Sequence, residues 1–181
     1  MKLIEERVLH EQPWTILKEY RYLDDLGEPR SWTFIERREG QQAVVIVPVT
    51  EQSRSLLLIR QFRIPLQREV LEFPAGLVDP GERPEETALR ELSEETGYSG
   101  RILEIGPEVC TSPGITTERV RLVRMIVGEE PTGPQRLEGS ERIEVLKVAP
   151  GSELELVRRS EQEGYIIDAK VYLYLMQPSG W

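Results

Sequence analysis

The 181-residue sequence contains no asparagine, one cysteine, one histidine and four lysines. A lone cysteine, Cys110, can close no internal disulfide and build no zinc cluster, which fits a reducing compartment and a cytoplasmic protein. That thiol is expected to be a small core residue. His10 has no second histidine to join it in a triad or a metal site. The opening MKLIEERVLH lacks the apolar core of a signal peptide, and no hydrophobic run approaches the length of a membrane span. The absence of asparagine and the preference for arginine over lysine fit a thermophilic or GC-rich source. There are no repeats and no low-complexity tracts.

Positive charge is also scarce, with a formal net charge of −9. That balance argues against nucleic acid or an anionic membrane as partner. A small phosphorylated substrate stays open, because metal ions can supply the missing positive charge. The length allows one domain with a full core, or one domain with a small appendage.

Trp14–Tyr22 alternates like a strand, DDLGEP supplies turn chemistry, and Ser31–Arg38 returns as a second strand. A hairpin alone is marginal in water, so this one must pack on the main domain or on a second subunit. Residues 1–40 are therefore expected to form an N-terminal appendage, and 41–181 the main domain. Ala43–Thr50 and Ser55–Phe62 are apolar runs that read as buried strands, and Glu69–Ala75 as a third. Further strands are expected over Arg101–Cys110, Glu118–Val127 and Arg142–Val148, with a Pro- and Gly-rich loop over Glu129–Ser140. Ser152–Glu163 and Asp168–Met176 read as helices, Asp168 serving as N-cap. The order predicts an α+β fold, a mixed β-sheet covered by helices on both faces.

The densest chemistry lies in Gly76–Tyr98, GLVDPGERPEETALRELSEETGY. Pro84 suits a first helical turn and Gly97 a helix stop. Ala88, Leu89, Leu92 and Thr96 recur at helical spacing and define one face. At about 100° per residue, Glu91, Glu94 and Glu95 share an arc elsewhere on the helix. Carboxylates at i, i+3 and i+4 repel one another, and in a helix's second half the macrodipole disfavours anions. Most acidic stretches are simply solvated. Here Gly76 and Gly81 permit a tight loop, Glu82 precedes the helix, and Arg90 can pair with Glu94 or Glu86. Hard oxygen donors on a rigid helix suit Mg²⁺ or Mn²⁺ with phosphate oxygens completing the shell.

This stretch resembles the Nudix box at every defined position: Gly76, Glu82, Arg90, Glu91, Leu92, Glu94, Glu95, Gly97 and Tyr98. At about 7% usage per residue type, seven fixed identities arise by chance in roughly one window in 10⁸. The resemblance extends from about Trp14 to Tyr174. Pro113, fifteen residues beyond Tyr98, and the segments QFRIP, EFPAGLVDPGE, SERIEV and DAKVY are similar to the ADP-ribose pyrophosphatase subfamily. A Nudix fold with an N-terminal β-hairpin appendage is implied.

The resemblance also implies an activity: metal-dependent hydrolysis of ADP-ribose to AMP and ribose 5-phosphate. Another nucleoside diphosphate sugar or an oxidised nucleoside diphosphate is the alternative, and a ligand sensor without turnover is a third reading. Glu91, Glu94, Glu95 and the Ala75 carbonyl are the implied ligands of Mg²⁺ or Mn²⁺, two or more per site. Glu82 and Arg90 would brace the loop and orient those carboxylates. Glu141 is the implied base, with Glu138, Glu144 or a box glutamate as rivals. Trp14 and Trp32 would sandwich the adenine in a homodimer, though ordinary hairpin packing would also use them. Arg37 and Arg63 would contact phosphates or the terminal ribose. Pro113 would shape a substrate-selecting loop.

Overall fold

The computed structural model describes residues 1–139 and 141–176. Three strands come first: β1 (Lys2–Glu11), β2 (Thr15–Leu23) and β3 (Pro29–Arg37), an antiparallel sheet in the order β1-β2-β3. The expected two-arm hairpin is therefore a three-stranded sheet. β1 escapes period-2 reading because its register with β2 shifts between Leu3 and Glu5 and again between Val8 and His10. Each shift turns side chains to the other face, so apolar residues fall in pairs rather than alternating. Trp14 lies in the bend before β2, not within a strand.

The main sheet is mixed. β4 (Ala43–Thr50) runs parallel to β9 (Arg119–Val127), which pairs antiparallel with β8 (Gly100–Cys110). β5 (Leu56–Arg63) meets β4 only at Val49–Leu56, and beyond that point the two strands take different partners. β7 (Ala75–Leu77) takes up β4, while β10 (Ile143–Val148) and β6 (Arg68–Glu72) pair with β5. The two-residue β11 (Ile166–Ile167) adds in parallel to β6. The strand expected over Glu69–Ala75 thus breaks at Phe73–Pro74. Proline cannot donate to a ladder, and the chain switches neighbours there, delivering Ala75 and Gly76 beside β4.

Helices cover both faces, as the element order predicts. α1 (Pro84–Thr96) packs Ala88 and Leu92 against Val44, Ile46, Leu57, Val123 and Met125. α2 (Glu153–Gln162) and α3 (Ala169–Leu175) place Val157 and Val171 against Val45, Val47, Leu58 and Phe73 on the other side. The Asp168 side chain caps α3, accepting the Lys170 N–H at 2.6 Å. No helix among the described residues is long and apolar enough to cross a membrane.

The N-terminal sheet docks on the turn following β8. Ile35 N–H donates to Ile115 O at 2.8 Å, Thr117 N–H donates to Ile35 O at 3.0 Å, and the Trp32 indole donates to Gly114 O at 2.9 Å. Cys110, at the end of β8, is exposed rather than a core residue.

Candidate active site

Pro84 opens α1 at its first turn, and Glu86 folds back to accept the Arg83 N–H at 2.9 Å. Glu86 is thereby an N-terminal cap, not the partner of Arg90. Gly97 closes the helix with φ +74° and donates to Ser93 O at 3.0 Å. Leu89, expected on the apolar face, is 42% exposed, whereas Thr87 and Glu95 are buried. The three glutamates are accordingly unequal, with Glu95 turned inward.

Arg90 sits at the centre of the acidic group. Its Nε and Nη2 donate to the two oxygens of Glu82, each at 2.9 Å. Nη1 donates to Glu91 at 2.8 Å and to Glu94 at 3.2 Å, and Nη2 also reaches Leu77 O at 3.3 Å. The Thr87 hydroxyl adds a bond to Glu82 at 2.7 Å. The Arg90 guanidinium, then Thr87, hold the Glu82 carboxyl down to about 2.

Glu95 is 4% exposed and accepts the Ala75 N–H at 3.0 Å. Burial pushes its pKa up to about 8; the Ala75 bond opposes the shift, and the nearby charges of Glu91 and Glu141 add to it. Glu91 is also raised, chiefly by burial. The space beside Glu91 exists because residue 76 is glycine: a Cβ there would lie 1.9 Å from Glu91 Cδ.

Arg90, Glu91, Glu94 and Glu95 line one cleft of about 630 Å³, shared with Trp14, Arg37, Arg63, Ala75, Glu138 and Glu141, while Glu82 stands behind Arg90 outside the lining. Arg37 donates from Nε and Nη2 to Glu118 Oε1 at 2.9 and 2.7 Å. Arg63 makes a two-pronged contact with Glu72 at 2.7 and 2.8 Å. Burial pushes Glu118 up, but Arg37 and Thr111 more than offset it and leave its pKa below the ordinary range. Glu141 Oε2 accepts the Glu138 N–H at 2.9 Å. Glu144 is held instead by Arg60, a residue that also stacks on Tyr165. Trp32 and Pro113 do not join this cleft. They line a smaller neighbouring one, of about 280 Å³, with Tyr20 and Phe34. Glu72 and Glu118, the carboxylates that hold the two arginines, were not singled out from the sequence as partners; 81 residues separate Arg37 from Glu118, and no local spacing reports such a pair.

The donor set fits a hard divalent cation. Carboxylates of Glu91, Glu94, Glu95 and Glu141 face one space, where burial first and then their mutual repulsion raise Glu95 and Glu91, and a cation would offset both. Among the described residues no three acidic, His or Cys side chains already converge as a finished metal site. A cation would therefore compete with Arg90 for Glu91 and Glu94.

A NUDIX domain family model matches residues 40–170. The chain belongs to the Nudix family. It is 34% identical to the ADP-sugar pyrophosphatase of Mus musculus, over 93% of this chain and 83% of that protein. It is 35% identical to the ADP-ribose pyrophosphatase of Bacillus subtilis, over 94% of this chain and 90% of that one. A solved structure described as an ADP compounds hydrolase shares the fold, with TM-score 0.72 and 22% identity, over 87% of this chain and 82% of that one. The chain is thus a Nudix hydrolase, and the hub around Arg90 is the interior of its Nudix box. Dependence on divalent metal is general in the family.

Proposed function

We propose that this Nudix hydrolase cleaves the pyrophosphate bond of ADP-ribose, releasing AMP and ribose 5-phosphate, with Mg²⁺ or Mn²⁺ as cofactor and two or more ions per site. The observation that carries the reading is one cleft bounded by Glu91, Glu94, Glu95 and Glu141 on one side and by Arg37, Arg63 and Trp14 on the other elements. Carboxylates are what a divalent cation needs, arginine forks suit phosphate oxygens, and an indole suits a base. The named activities of the mouse and Bacillus relatives point the same way.

Glu91, Glu94, Glu95 and the Ala75 carbonyl would hold the metal. Bound there, it neutralises the diphosphate and lowers the pKa of water. Glu82 and Arg90 orient the carboxylates through the hydrogen bonds described. Glu141 accepts a proton from the attacking water as the new P–O bond forms and the bridging P–O bond breaks, the bridging oxygen leaving with the other phosphate. Its Oε2 holds the Glu138 N–H, which leaves Oε1 to take the proton. Glu138 lines the same cleft and is the rival base; Glu144, held by Arg60, is a weaker one.

A homodimer would bring Trp32 and Pro113 of one subunit to the cleft of the other, opposite Trp14. The exposed Leu3, Ile4, Val8 and Leu9 on β1 support a covered surface there. Residues 1–40 would serve as the dimerising and substrate-binding segment, with the Nudix hydrolase domain over 41–181. A cytoplasmic setting rests on the single unpaired thiol. Another nucleoside diphosphate sugar is the second reading, favoured by the wider name of the mouse relative. The intact box glutamates weigh against a ligand sensor without turnover.

The test is AMP release from ADP-ribose by purified protein with Mg²⁺, beside a panel of nucleoside diphosphate sugars. Glu95→Gln is expected to abolish turnover and keep the fold. Poor release from ADP-ribose with rapid hydrolysis of another sugar nucleotide moves the reading to that substrate.

A further inference from the structure

Five cationic side chains line the large cleft beside eight carboxylates, and four of the five already hold a carboxylate. Arg37 is paired with Glu118, Arg63 with Glu72, Arg90 with Glu82 and Lys170 with Asp168. Arg136 is the fifth. Among the described residues no carboxylate lies within 4.0 Å of its guanidinium, and its side chain makes only a long bond, 3.4 Å, to the Ser93 hydroxyl.

Its main chain, by contrast, is fixed. Arg136 N–H donates to Glu94 O at 2.8 Å. The side-chain amide of the preceding Gln135 donates from Nε2 to Glu95 O at 2.6 Å and to Ile143 O at 3.3 Å, pinning the loop between α1 and β10. The chain thus seats this arginine against the half of α1 that carries the acidic trio and leaves its charge uncommitted. Arg37 and Arg63 each bring a paired carboxylate, Glu118 and Glu72, to the cleft, whereas Arg136 brings an unpaired charge.

We infer that Arg136 is a substrate-binding residue whose guanidinium takes phosphate oxygens of the diphosphate from the α1 side, while Arg37 enters from β3 and Arg63 from β5. This rests on the diphosphate reading of the cleft given above. The exchange is favourable because a long bond to a neutral hydroxyl gives way to short charge-assisted bonds from a planar fork. It also supplies positive charge where the acidic lining would otherwise repel the ligand.

The experiment compares wild type, R136K and R136Q with Mg²⁺ in two assays: steady-state hydrolysis of ADP-ribose, and calorimetric titration with inorganic pyrophosphate. R136Q is expected to raise KM and the pyrophosphate Kd by about ten-fold or more, with kcat within about three-fold and an unchanged melting temperature. R136K should fall between the two. Unchanged KM and Kd in R136Q overturn the inference, as does a fall in kcat at unchanged KM. Should wild type leave ADP-ribose intact, the substrate reading fails, and the titration still decides this residue. Pyrophosphate binding lost in R136Q then supports it; equal binding, or none by wild type, overturns it.

Discussion

The buried Glu95 carboxylate accepts the backbone N–H of Ala75 at 3.0 Å, which ties the helix of the Nudix box to the strand that precedes it. That single bond does not compensate for burial, and the folded-state pKa stands at about 8 against 4.5 for a solvated glutamate. Between those values the metal-free native state holds a proton that the unfolded chain has released. Stability in EDTA should therefore fall as pH rises from 5 to 8, by about 1.4 kcal/mol per unit, or roughly 2–4 °C per kcal/mol in melting temperature. Glu82 and Glu129, both held down to about 2, act below pH 4.5 and do not enter this window. Glu91, also raised by burial, adds a slope of the same sign, so thermal melts of wild type and Glu95→Gln across that range should show the slope reduced in the variant; an undiminished slope assigns the effect elsewhere. Saturating Mg²⁺ should flatten the slope, because the cation displaces the proton.

Gly76→Ala should separate activity from stability. The new Cβ would meet Glu91 Cδ and Oε1, each at 1.9 Å, and these atoms end a flexible side chain that can swing away. Stability should drop by about 1 kcal/mol or less, while a displaced Glu91 should lower kcat by about 10²-fold. Kinetics beside a denaturant melt would show it, and near-normal kcat would mean that Glu91 need not sit there.

Removing Arg90 should cost more than any one of its bonds. Glu82, Glu91 and Glu94 would lose their shared cation together, so R90A should lose about 1–3 kcal/mol of stability and about 10–100-fold in kcat. R90K keeps the charge without the two-pronged geometry and should lie between. The readout is melting temperature and kcat on the same preparations; full activity in R90A would remove the orienting role.

The two tryptophans offer a test of the proposed dimer. If each site draws Trp14 from one subunit and Trp32 from its partner, W14A and W32A should each bind substrate weakly. Random mixing of the two after dissociation then rebuilds about a quarter of the sites, since half the dimers are hybrids with one intact site each. Activity that stays at the level of the separate variants would place both indoles in the same subunit, or neither at the substrate.

Much of the fold was legible because its signals are local. Apolar runs marked β4 and β5, and Pro84 and Gly97 bracketed α1. The glycine-bearing loop and Glu82 ahead of Glu91, Glu94 and Glu95, with the resemblance to the Nudix box, identified the helix as more than a solvated face. Reading failed where pairing rather than pattern sets the structure. β1 hides behind two register shifts, and the run over Glu69–Ala75 conceals a change of partner at Pro74. Cys110 was expected inside because cysteine usually packs there, yet it ends an outer strand.

The order of residues alone determined the kind of chemistry, because a run of identities at fixed helical spacing carries its geometry with it. It determined equally that Arg90 could reach Glu94 one turn away. Only the tertiary structure decided that Glu95 faces inward while Leu89 does not, that Arg37 holds an acid 81 residues away while Arg63 takes Glu72 from the neighbouring strand, and that Trp32 sits apart from Trp14. The reason is physical: spacing along a helix fixes angles between neighbours, whereas burial and ion pairing depend on which surfaces the folded sheet brings together.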